Sequence, residues 1–304
     1  MIDAAQNLVD ALSLGSLYAL VALGIGLLFG ILRLVNFAHG DFITLGAYAL
    51  IVPSANITAR MLIGAWNWAA MIPAICIIVV VAALICDALV FRPLRRANAP
   101  TLMIASFAVS YIIQNGILMI YGARPKAVNL WSGLDRQLLV GAIRVPQLQV
   151  VTIGVTLFLM VALTLFLKRT AFGVQMRAAA EDFRMAQYLG VRGNLVIGLA
   201  FGISGILAAV VSLLFLSQTG SLSDTMGVPL VLFAFVAVVI GGMGSLLGAV
   251  VGGFLVGFLI IMLQAYLPED LRVFRDAFAF GFVILILLAR PAGLVPTKAL
   301  IERV

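Results

Sequence analysis

Residues 225 to 268 form a run of 44 residues without Asp, Glu, Lys or Arg, and this run constrains the fold more than any other feature. A helix rises about 1.5 Å per residue and the hydrocarbon layer of a bilayer is about 30 Å thick, so a helix of this length would reach about 66 Å. The run must therefore cross a membrane twice. Gly241, Gly242 and Gly244 lie inside it and predict the bend between the two crossings.

The composition indicates the same class of protein. Hydrophobic residues make up 64% of the chain and charged residues only 10%, which is far from the balance of a soluble domain. Seven further uncharged windows lie at 11 to 32, 42 to 59, 61 to 86, 97 to 123, 145 to 167, 193 to 223 and 277 to 289. We therefore predict an all-α polytopic integral membrane protein with eight or nine transmembrane helices, nine preferred. Residues 1–304 are expected to form a single transmembrane domain, because the gaps leave no room for a soluble one.

The window from 42 to 59 differs from the others because its apolar part is short. Positions 42 to 52 precede Pro53, Ser54 and Asn56, and these eleven residues as a helix would span about half of the hydrocarbon layer. We expect this segment to be a half-helix or a re-entrant segment. The transmembrane helices are thus predicted to include Gly-interrupted or re-entrant segments.

The basic residues predict the orientation, because cytoplasmic loops collect Lys and Arg. Alternating nine spans places twelve on one side and seven on the other. The first side holds Arg33, Arg92, Arg95, Arg96, Lys168, Arg169, Arg177, Arg184, Arg192, Arg290, Lys298 and Arg303. The second holds Arg60, Arg124, Lys126, Arg136, Arg144, Arg272 and Arg275. The first side is therefore expected to face the cytoplasm, and the net charge of +7 reflects topology and not nucleic-acid binding. The acidic N-terminal segment does not have the pattern of a secretory signal peptide and is expected outside.

A charged segment at 173 to 193, GVQMRAAAEDFRMAQYLGVRG, lies between two apolar stretches on the predicted cytoplasmic side. In helical register one face carries Arg177, Glu181, Arg184 and Tyr188, at spacings that let opposite charges meet. The other face carries Met176, Ala179, Phe183 and Ala186. The pattern predicts a short amphipathic helix at the membrane surface, ended by Gly190.

Several kinds of chemistry find no support in the sequence. Cys76 and Cys86 lie ten residues apart on one predicted helix, about 15 Å apart, which forbids a disulfide between them. With one histidine and no closely spaced cysteine pair, a metal site is not expected. The chain lacks a phosphate-binding loop, so we expect no cofactor and no ATP hydrolysis by this chain. No charged residue lies near the centre of a window, which argues against a proton or sodium pathway. Energy is therefore expected to arrive mechanically, through the cytoplasmic loops.

Polar residues within or between the apolar windows are candidates for a translocation path or gate. Asn36, His39 and Asp41 lie between two windows; the alternative is that Asn36 caps a helix and Asp41 pairs with Arg33. Uncharged polar residues within windows need hydrogen-bond partners, so they should face either protein or a water path. These residues are Gln114, Asn115, Ser204, Ser212, Ser217, Gln218 and Thr219. Gly244, Gly248 and Gly252 repeat every four residues, which indicates either close helix packing or space for a solute. Gly241, Gly242 and Gly244 are further candidates for the path or gate.

Four motifs in this order resemble the branched-chain amino acid permeases of bacterial ABC importers, the LivH/LivM type. They are NFAHGDFITLGAY at 36 to 48, the charged segment followed by GLAFGISGILAAVVSLLF, GGMGSLLGAVVGGFLVG at 241 to 257, and RPAGLVP at 290 to 296. The resemblance runs nearly end to end and implies a permease domain in the bacterial inner membrane. It implies four kinds of partner: a second permease subunit, two cytoplasmic ATP-binding subunits, a periplasmic solute-binding protein and membrane lipid, with no nucleic acid.

The resemblance also assigns a role to the charged segment. In that family the corresponding helix docks into the ATP-binding subunit, which here implies Arg177, Glu181, Asp182, Arg184 and Gly190 as coupling residues. Gly190 matches the family's characteristic glycine. The chain departs from the family at the start of this motif, because it reads Ala-Ala-Ala-Glu at 178 to 181 in place of Glu-Ala-Ala.

Other functions remain open at this stage. An ion-coupled secondary transporter would be expected to carry ionisable groups at mid-membrane, a passive channel would not need a docking helix, and a membrane enzyme would need clustered catalytic groups. The family type is associated with leucine, isoleucine and valine, and similar proteins handle urea, short amides or other amino acids. The residues do not choose among these solutes.

Overall fold

The computed structural model describes residues 2–33, 35–54, 56–95, 97–131, 137–140 and 143–295. Its helices are α1 Ile2–Leu32, α2 His39–Tyr48, α3 Trp68–Cys86, α4 Ala99–Tyr121, α5 Gln147–Arg169, α6 Ala171–Glu181, α7 Phe183–Tyr188, α8 Gly193–Thr219, α9 Gly227–Gly241, α10 Leu246–Tyr266 and α11 Arg275–Ala289. Arg96, Arg136, Lys298 and Arg303 of the predicted charge distribution, and Pro296 of the last motif, lie outside the described residues.

Short strands and turns of other helix types connect the α-helices. The strands are β1 Ile51–Val52, β2 Arg60–Met61, β3 Lys126–Ala127, β4 Gln137–Val140, β5 Ile143–Pro146 and β6 Ser221–Leu222. They form three antiparallel pairs, β1 with β2, β3 with β6 and β4 with β5. A π-helical turn, Asp87–Phe91, continues α3, and 3₁₀ turns lie at Ile63–Ala65 and Glu269–Phe274. The prediction of helix alone therefore missed these small sheets.

Within the described part of the chain, six helices are long and apolar enough to cross a membrane. They are Ala4–Leu32, Trp68–Phe91, Ala99–Tyr121, Gln147–Arg169, Gly193–Thr219 and Leu246–Tyr266. Helices α9 and α11 have 15 residues each, and α2 has ten, which rise about 22 and 15 Å. The polytopic helical class is confirmed. The count of eight or nine crossings stays a prediction, as do the re-entrant segments.

The chain forms two compact units, each assembled from separated stretches. Unit 1 contains Met1–Gly26, Trp131–Ala162 and Leu232–Val304; unit 2 contains Leu27–Leu130 and Leu163–Val231. The prediction of a single domain is not decided by this division.

In unit 1, the predicted bend lies where the glycines placed it. Helix α9 ends at Gly241 and α10 begins at Leu246, and Gly242 and Gly244 between them have φ values of +108° and +91°. These backbone conformations favour glycine. The Ser245 Oγ accepts a hydrogen bond from the Gly248 N–H at 3.0 Å and caps α10.

Small residues let the helices of unit 1 approach closely. A Cβ on Gly253 of α10 would lie 2.5 Å from the Ala19 Cα of α1, and Gly252 packs directly against Ala237 of α9. The close-packing interpretation of the glycine spacing is thus confirmed for this helix. Helix α10 packs against α1 on one side and α9 on another.

In unit 2, α8 packs along both α3 and α2, and α2 also contacts α4. Gly205 of α8 lies against Val80 of α3, where a Cβ would be 3.1 Å from the Val80 Cα. Phe91 and Phe201 pack with ring centroids 5.3 Å apart. The short helix α2 is almost fully buried among these neighbours.

Candidate functional site

The charged segment folds as two helices and not as one. The Thr170 Oγ1 accepts a hydrogen bond from the Gly173 N–H at 3.0 Å and caps α6. Asp182 has an extended backbone with φ of −143°, and its Oδ1 accepts from the Met185 N–H at 2.9 Å, which caps α7. The prediction of one continuous helix in this segment, ended by Gly190, is therefore wrong in its continuity. The helix breaks at Asp182 because an aspartate side chain can bond to nearby backbone N–H groups and so favours the start of a new helix over continuation of the old one. We call α6 and α7 together the helix pair.

The break changes which side chains can meet. Among the described residues, the ion pairs do not include Arg177, Glu181 or Arg184, so the predicted charge pairing is wrong. All three side chains are exposed, as is Asp182. The predicted apolar face is confirmed, because Met176, Ala179 and Ala186 are buried.

The predicted stop at Gly190 is confirmed in detail. Gly190 has φ of +91°, its N–H donates to the Gln187 carbonyl at 3.0 Å, and the Val191 N–H donates to the Ala186 carbonyl at 3.0 Å. This pair of hydrogen bonds is the Schellman motif that ends many helices. The chain then enters α8 at Gly193, which packs against Phe183 of α7. The helix pair is thus in direct contact with the start of α8.

An ion cluster around the buried Asp87 joins the end of α3 to the start of α8. Asp87 is 1% exposed, and its two carboxylate oxygens lie 3.0 and 3.2 Å from Arg95 Nη2. Arg92 approaches the same carboxylate at 3.7 Å. Arg95 also donates to the Asn194 side chain on α8. Sequence analysis predicted Arg92 and Arg95 on the cytoplasmic side. It missed Asn194 of α8 as the partner of Arg95, because the two residues lie far apart in the chain.

The predicted path residues just before and at the start of α2 are buried polar side chains. Asn36, His39 and Asp41 are each no more than 1% exposed. The His39 Nδ1 lies 3.0 Å from the Ser204 Oγ of α8, which confirms that Ser204 bonds between helices. The Asn36 Oδ1 accepts from the Ala38 N–H at 3.2 Å, but the N-cap residue of α2 is Ala38. Asn36 therefore forms a turn before the helix and does not cap it.

Asp41 is held by α4 and not by the predicted arginine. Its Oδ1 accepts a hydrogen bond from the Gln114 Nε2 at 2.9 Å, and the same nitrogen lies 3.0 Å from the Ser110 Oγ. Arg33 is exposed and takes part in none of the ion pairs among the described residues. The prediction that Asp41 pairs with Arg33 is wrong. Asn115 does not join the cluster, because its side chain donates to the Tyr111 carbonyl of its own helix at 2.7 Å.

The contacts of α2 with α4 follow one polar face. Ser106, Ser110 and Gln114 recur at intervals of four residues and lie on the same side of the helix. The Ser106 Oγ accepts from the Phe37 N–H at 3.4 Å, at the other end of the row from Gln114. We call these three side chains, with residues 36–41, the α2–α4 seam. Sequence analysis named Gln114 and missed the two serines, although their spacing was a readable signal.

The seam places an acidic group deep in the apolar part of unit 2. Gln114 lies four residues past Ser110, the midpoint of α4, so Asp41 contacts the helix about 6 Å from its centre. The windows still carry no charged residue near their centres, but Asp41, which lies between two windows, is buried beside the middle part of α4. The window analysis missed Asp41 because it lies between two windows, and only the packing of the short α2 against α4 carries it inward.

Three polar atoms near the start of α2 lack hydrogen-bond partners among the described residues. They are Asn36 Nδ2, His39 Nε2 and Asp41 Oδ2. A buried polar atom without a partner costs about 1–3 kcal/mol, and more if it is charged. Within the described part of the chain, no group of three or more His, Cys, Asp or Glu side chains could hold a metal ion. These three atoms leave hydrogen-bonding capacity for water or a small polar group at the start of α2.

Comparison with known proteins gives matches that cover nearly the whole chain. Residues 7–289 match the family model described as "Branched-chain amino acid transport system / permease component". The chain is 33% identical over 301 residues to the high-affinity branched-chain amino acid transport system permease protein BraD of Pseudomonas aeruginosa, covering 95% of this chain and 94% of the relative.

Two further relatives carry related names. The chain is 32% identical over 299 residues to the high-affinity branched-chain amino acid transport system permease protein LivH of Escherichia coli, covering 95% and 94% of the two chains. It is 26% identical over 283 residues to a probable branched-chain amino acid transport permease protein LivH of Methanocaldococcus jannaschii, covering 90% and 83%. No solved structure matches the chain.

Proposed function

Because the chain belongs to the family of branched-chain amino acid transport system permease components, we propose that it is the transmembrane permease subunit of an ATP-driven importer for these amino acids. It resides in the bacterial inner membrane. It moves solute from a periplasmic binding protein to the cytoplasm by alternating access, and partner subunits hydrolyse the ATP. The observation that carries this proposal is the match over residues 7–289, which leaves little of the chain for another function.

The solute assignment rests on the names of the relatives. BraD and LivH are named as high-affinity branched-chain amino acid permeases, and each match covers 95% of this chain. We therefore assign leucine, isoleucine and valine as the solutes. The assembly that we propose contains a second permease subunit, two ATP-binding subunits and one solute-binding protein.

The helix pair is the proposed contact with the ATP-binding subunits. Its exposed charges Arg177, Glu181, Asp182 and Arg184 lie next to exposed apolar side chains, of which Tyr188 is 85% exposed. Apolar groups rimmed by charges are typical of a protein interface. The buried side chains of the pair hold it against the rest of unit 2, so a push on the pair is passed on to α8.

The translocation path is proposed to use the cluster around α2. Asn36, His39, Asp41 and Gln114 supply polar groups next to helices long enough to span the membrane. The ten residues of α2 begin near Ser106 and end near Tyr121, where Tyr48 packs at 4.8 Å between ring centroids. This placement supports the half-helix interpretation. We also keep Asn115 and the turn at Gly241, Gly242 and Gly244 as candidates.

The test is uptake of labelled leucine by proteoliposomes that contain the full complex. The double variant Glu181→Arg, Arg184→Glu should insert normally but lose leucine uptake and the stimulation of ATP hydrolysis. A matched control is Glu269→Arg, Arg272→Glu, which exchanges the charges of two exposed side chains elsewhere in the chain, 3.9 Å apart, and should retain uptake. Accumulation of leucine by the chain without ATP-binding subunits would contradict the proposal, as would full uptake by the first double variant.

A further inference from the structure

We propose that Asp41, together with Ser110 of α4, forms a site for an ammonium group, at which the amino end of the solute is contacted inside the membrane. This inference rests on the proposed function, because that function supplies a solute with a protonated amino group. It assigns to the polar side chains around α2 a ligand group, the ammonium, and an acceptor for it, the Asp41 carboxylate.

The first argument is the state of the carboxylate. Asp41 is 0% exposed, its Oδ1 accepts from Gln114, and its Oδ2 has no hydrogen-bond partner among the described residues. The ion pairs of the described residues use other acidic groups. A buried carboxylate that stays ionised without a cation costs several kcal/mol, so such a group either takes up a proton or gains a positive partner. A solute that brings its own cation would remove this cost for the ionised group.

The second argument is the kind of cation that fits. Calcium takes six to eight oxygen ligands and magnesium an octahedral set, commonly including several carboxylates or waters. Among the described residues, Asp41 belongs to no group of three or more His, Cys, Asp or Glu side chains that could hold a metal ion. An ammonium group offers three donors on one small charged atom. The Asp41 Oδ2 and the Ser110 Oγ, which lies in the same hydrogen-bonded group, suit such a donor.

The third argument is the position of the site on a polar track. Ser106, Ser110 and Gln114 span nine residues of α4, or about 12 Å along its axis. The other side of α4 is apolar and exposed, with Ile104, Tyr111 and Ile112 each about 70% exposed. The polar groups therefore face α2 and not the lipid-like side. In this proposal Asp41 contacts the amino group of the solute and not its aliphatic side chain. The uptake of leucine, isoleucine and valine should therefore depend on Asp41 equally.

The first experiment measures labelled leucine uptake and ATP hydrolysis by the reconstituted complex. Asp41→Asn should lower the leucine moved per ATP at least about tenfold, which corresponds to about 1.4 kcal/mol, while stimulated ATP hydrolysis is retained. The matched control is Asp10→Asn, because the Asp10 Oδ1 also accepts from a glutamine amide, Gln149, at 2.7 Å. The control should stay within twofold. Equal uptake per ATP by the Asp41→Asn variant would overturn the proposal and leave Asp41 as a packing residue.

A second arm separates the solute's amino group from an inorganic cation. Uptake by the unmodified complex is compared in sodium, potassium and N-methylglucamine buffers. Uptake that differs less than twofold supports the solute's ammonium as the occupant. Uptake that needs sodium or potassium, with that dependence lost in Asp41→Asn, would overturn the assignment in favour of a coupling ion.

A direct binding measurement keeps the inference separate from the proposed function. Saturation-transfer NMR with methylammonium is performed on the full complex in nanodiscs. The signal should be lost in Asp41→Asn, kept in Asp10→Asn, and reduced several-fold in Ser110→Ala, which removes one acceptor and little volume. If the unmodified complex fails to take up leucine but this pattern holds, the proposed solute is wrong and the ammonium site stands. Equal signals in all four proteins would overturn the site.

Discussion

The contact between α2 and the start of α9 in unit 2 is close enough that one methyl group should disrupt it. A Cβ on Gly40 would lie 2.7 Å from the Gly227 carbonyl oxygen, 2.9 Å from the Gly227 carbonyl carbon and 2.9 Å from the Val231 Cγ2. Two of these atoms belong to backbone and cannot rotate away. The Thr44 hydroxyl bridges the same contact with two hydrogen bonds. It donates to the Gly40 carbonyl at 3.2 Å and accepts from the Gly227 N–H at 3.1 Å.

The free-energy change of Gly40→Ala follows from this geometry. To reach an ordinary contact the two backbones must separate by about 0.7 Å, which stretches the Thr44 hydrogen bond to about 3.8 Å and breaks it. Overpacking costs about 1–3 kcal/mol and the lost hydrogen bond about 1 kcal/mol. Alanine returns up to about 1 kcal/mol through its better helix propensity. The variant should therefore be destabilised by about 1–3 kcal/mol.

The assay is thermal unfolding of the purified chain in detergent, followed by tryptophan fluorescence. A loss of this size should lower the midpoint by about 2–10 °C for a chain of this length. Gly202→Ala on α8 is the matched control, since a Cβ there meets no atom within 4 Å, and it should unfold at or slightly above the unmodified midpoint. If both variants unfold at the same temperature, the close α2–α9 contact is not what holds α2 in place.

Three further outcomes can be checked by the same unfolding assay or by amide exchange. Asp87→Ala leaves Arg95 mostly buried without its carboxylate and should cost about 3–5 kcal/mol, whereas Arg92→Ala removes a half-exposed partner and should cost at most about 1 kcal/mol; similar midpoints would contradict the cluster's role. Gly190→Ala forces a side chain onto a φ of +91° and should cost about 1–2 kcal/mol, seen as faster amide exchange in α7, with Gly190→Asn recovering part of the loss. Ser245→Ala removes the cap of α10 and should lower stability by about 1 kcal/mol, so an unchanged midpoint would count against that cap.

Those features of the fold that depend on local patterns could be predicted from the sequence. Uncharged windows identify the six long helices because the absence of charge over about 20 residues is itself the requirement for crossing a membrane. The bend at Gly242 and Gly244 and the stop at Gly190 were predictable because glycine is the residue that adopts a left-handed backbone without strain. The apolar face of the helix pair follows in the same way from the spacing of Met176 and Ala179.

Features that depend on distant contacts or on competing local bonds could not be predicted. The helical period continues smoothly through Asp182, but its carboxylate bonds to the Met185 N–H and ends one helix to begin the next. Charge spacing alone made Arg33 the natural partner of Asp41, whereas a glutamine 73 residues away takes that place. Whether a charged residue is buried is a property of tertiary packing, because Asp41 lies between two windows in the sequence and is buried only through the contacts of the ten-residue helix α2.

Helix α8 contacts both the helix pair and the polar side chains of α2, so one helix connects the two sites. Its first residue, Gly193, packs against α7, and its second, Asn194, bonds to Arg95. Its twelfth, Ser204, lies about 16 Å along the helix and bonds to His39. A helix is stiff over this distance and buried cores do not deform continuously, so a shift at the start of α8 moves Ser204 with it. His39 and Asp41 are two residues apart on the same short helix, and a displaced His39 therefore moves the Asp41 carboxylate relative to Gln114.

The variant Ser204→Ala removes the hydrogen bond between α8 and His39 and introduces no new polar group. It should retain stimulated ATP hydrolysis, while the leucine uptake per ATP falls. Equal uptake per ATP would show that α8 transmits force by packing alone.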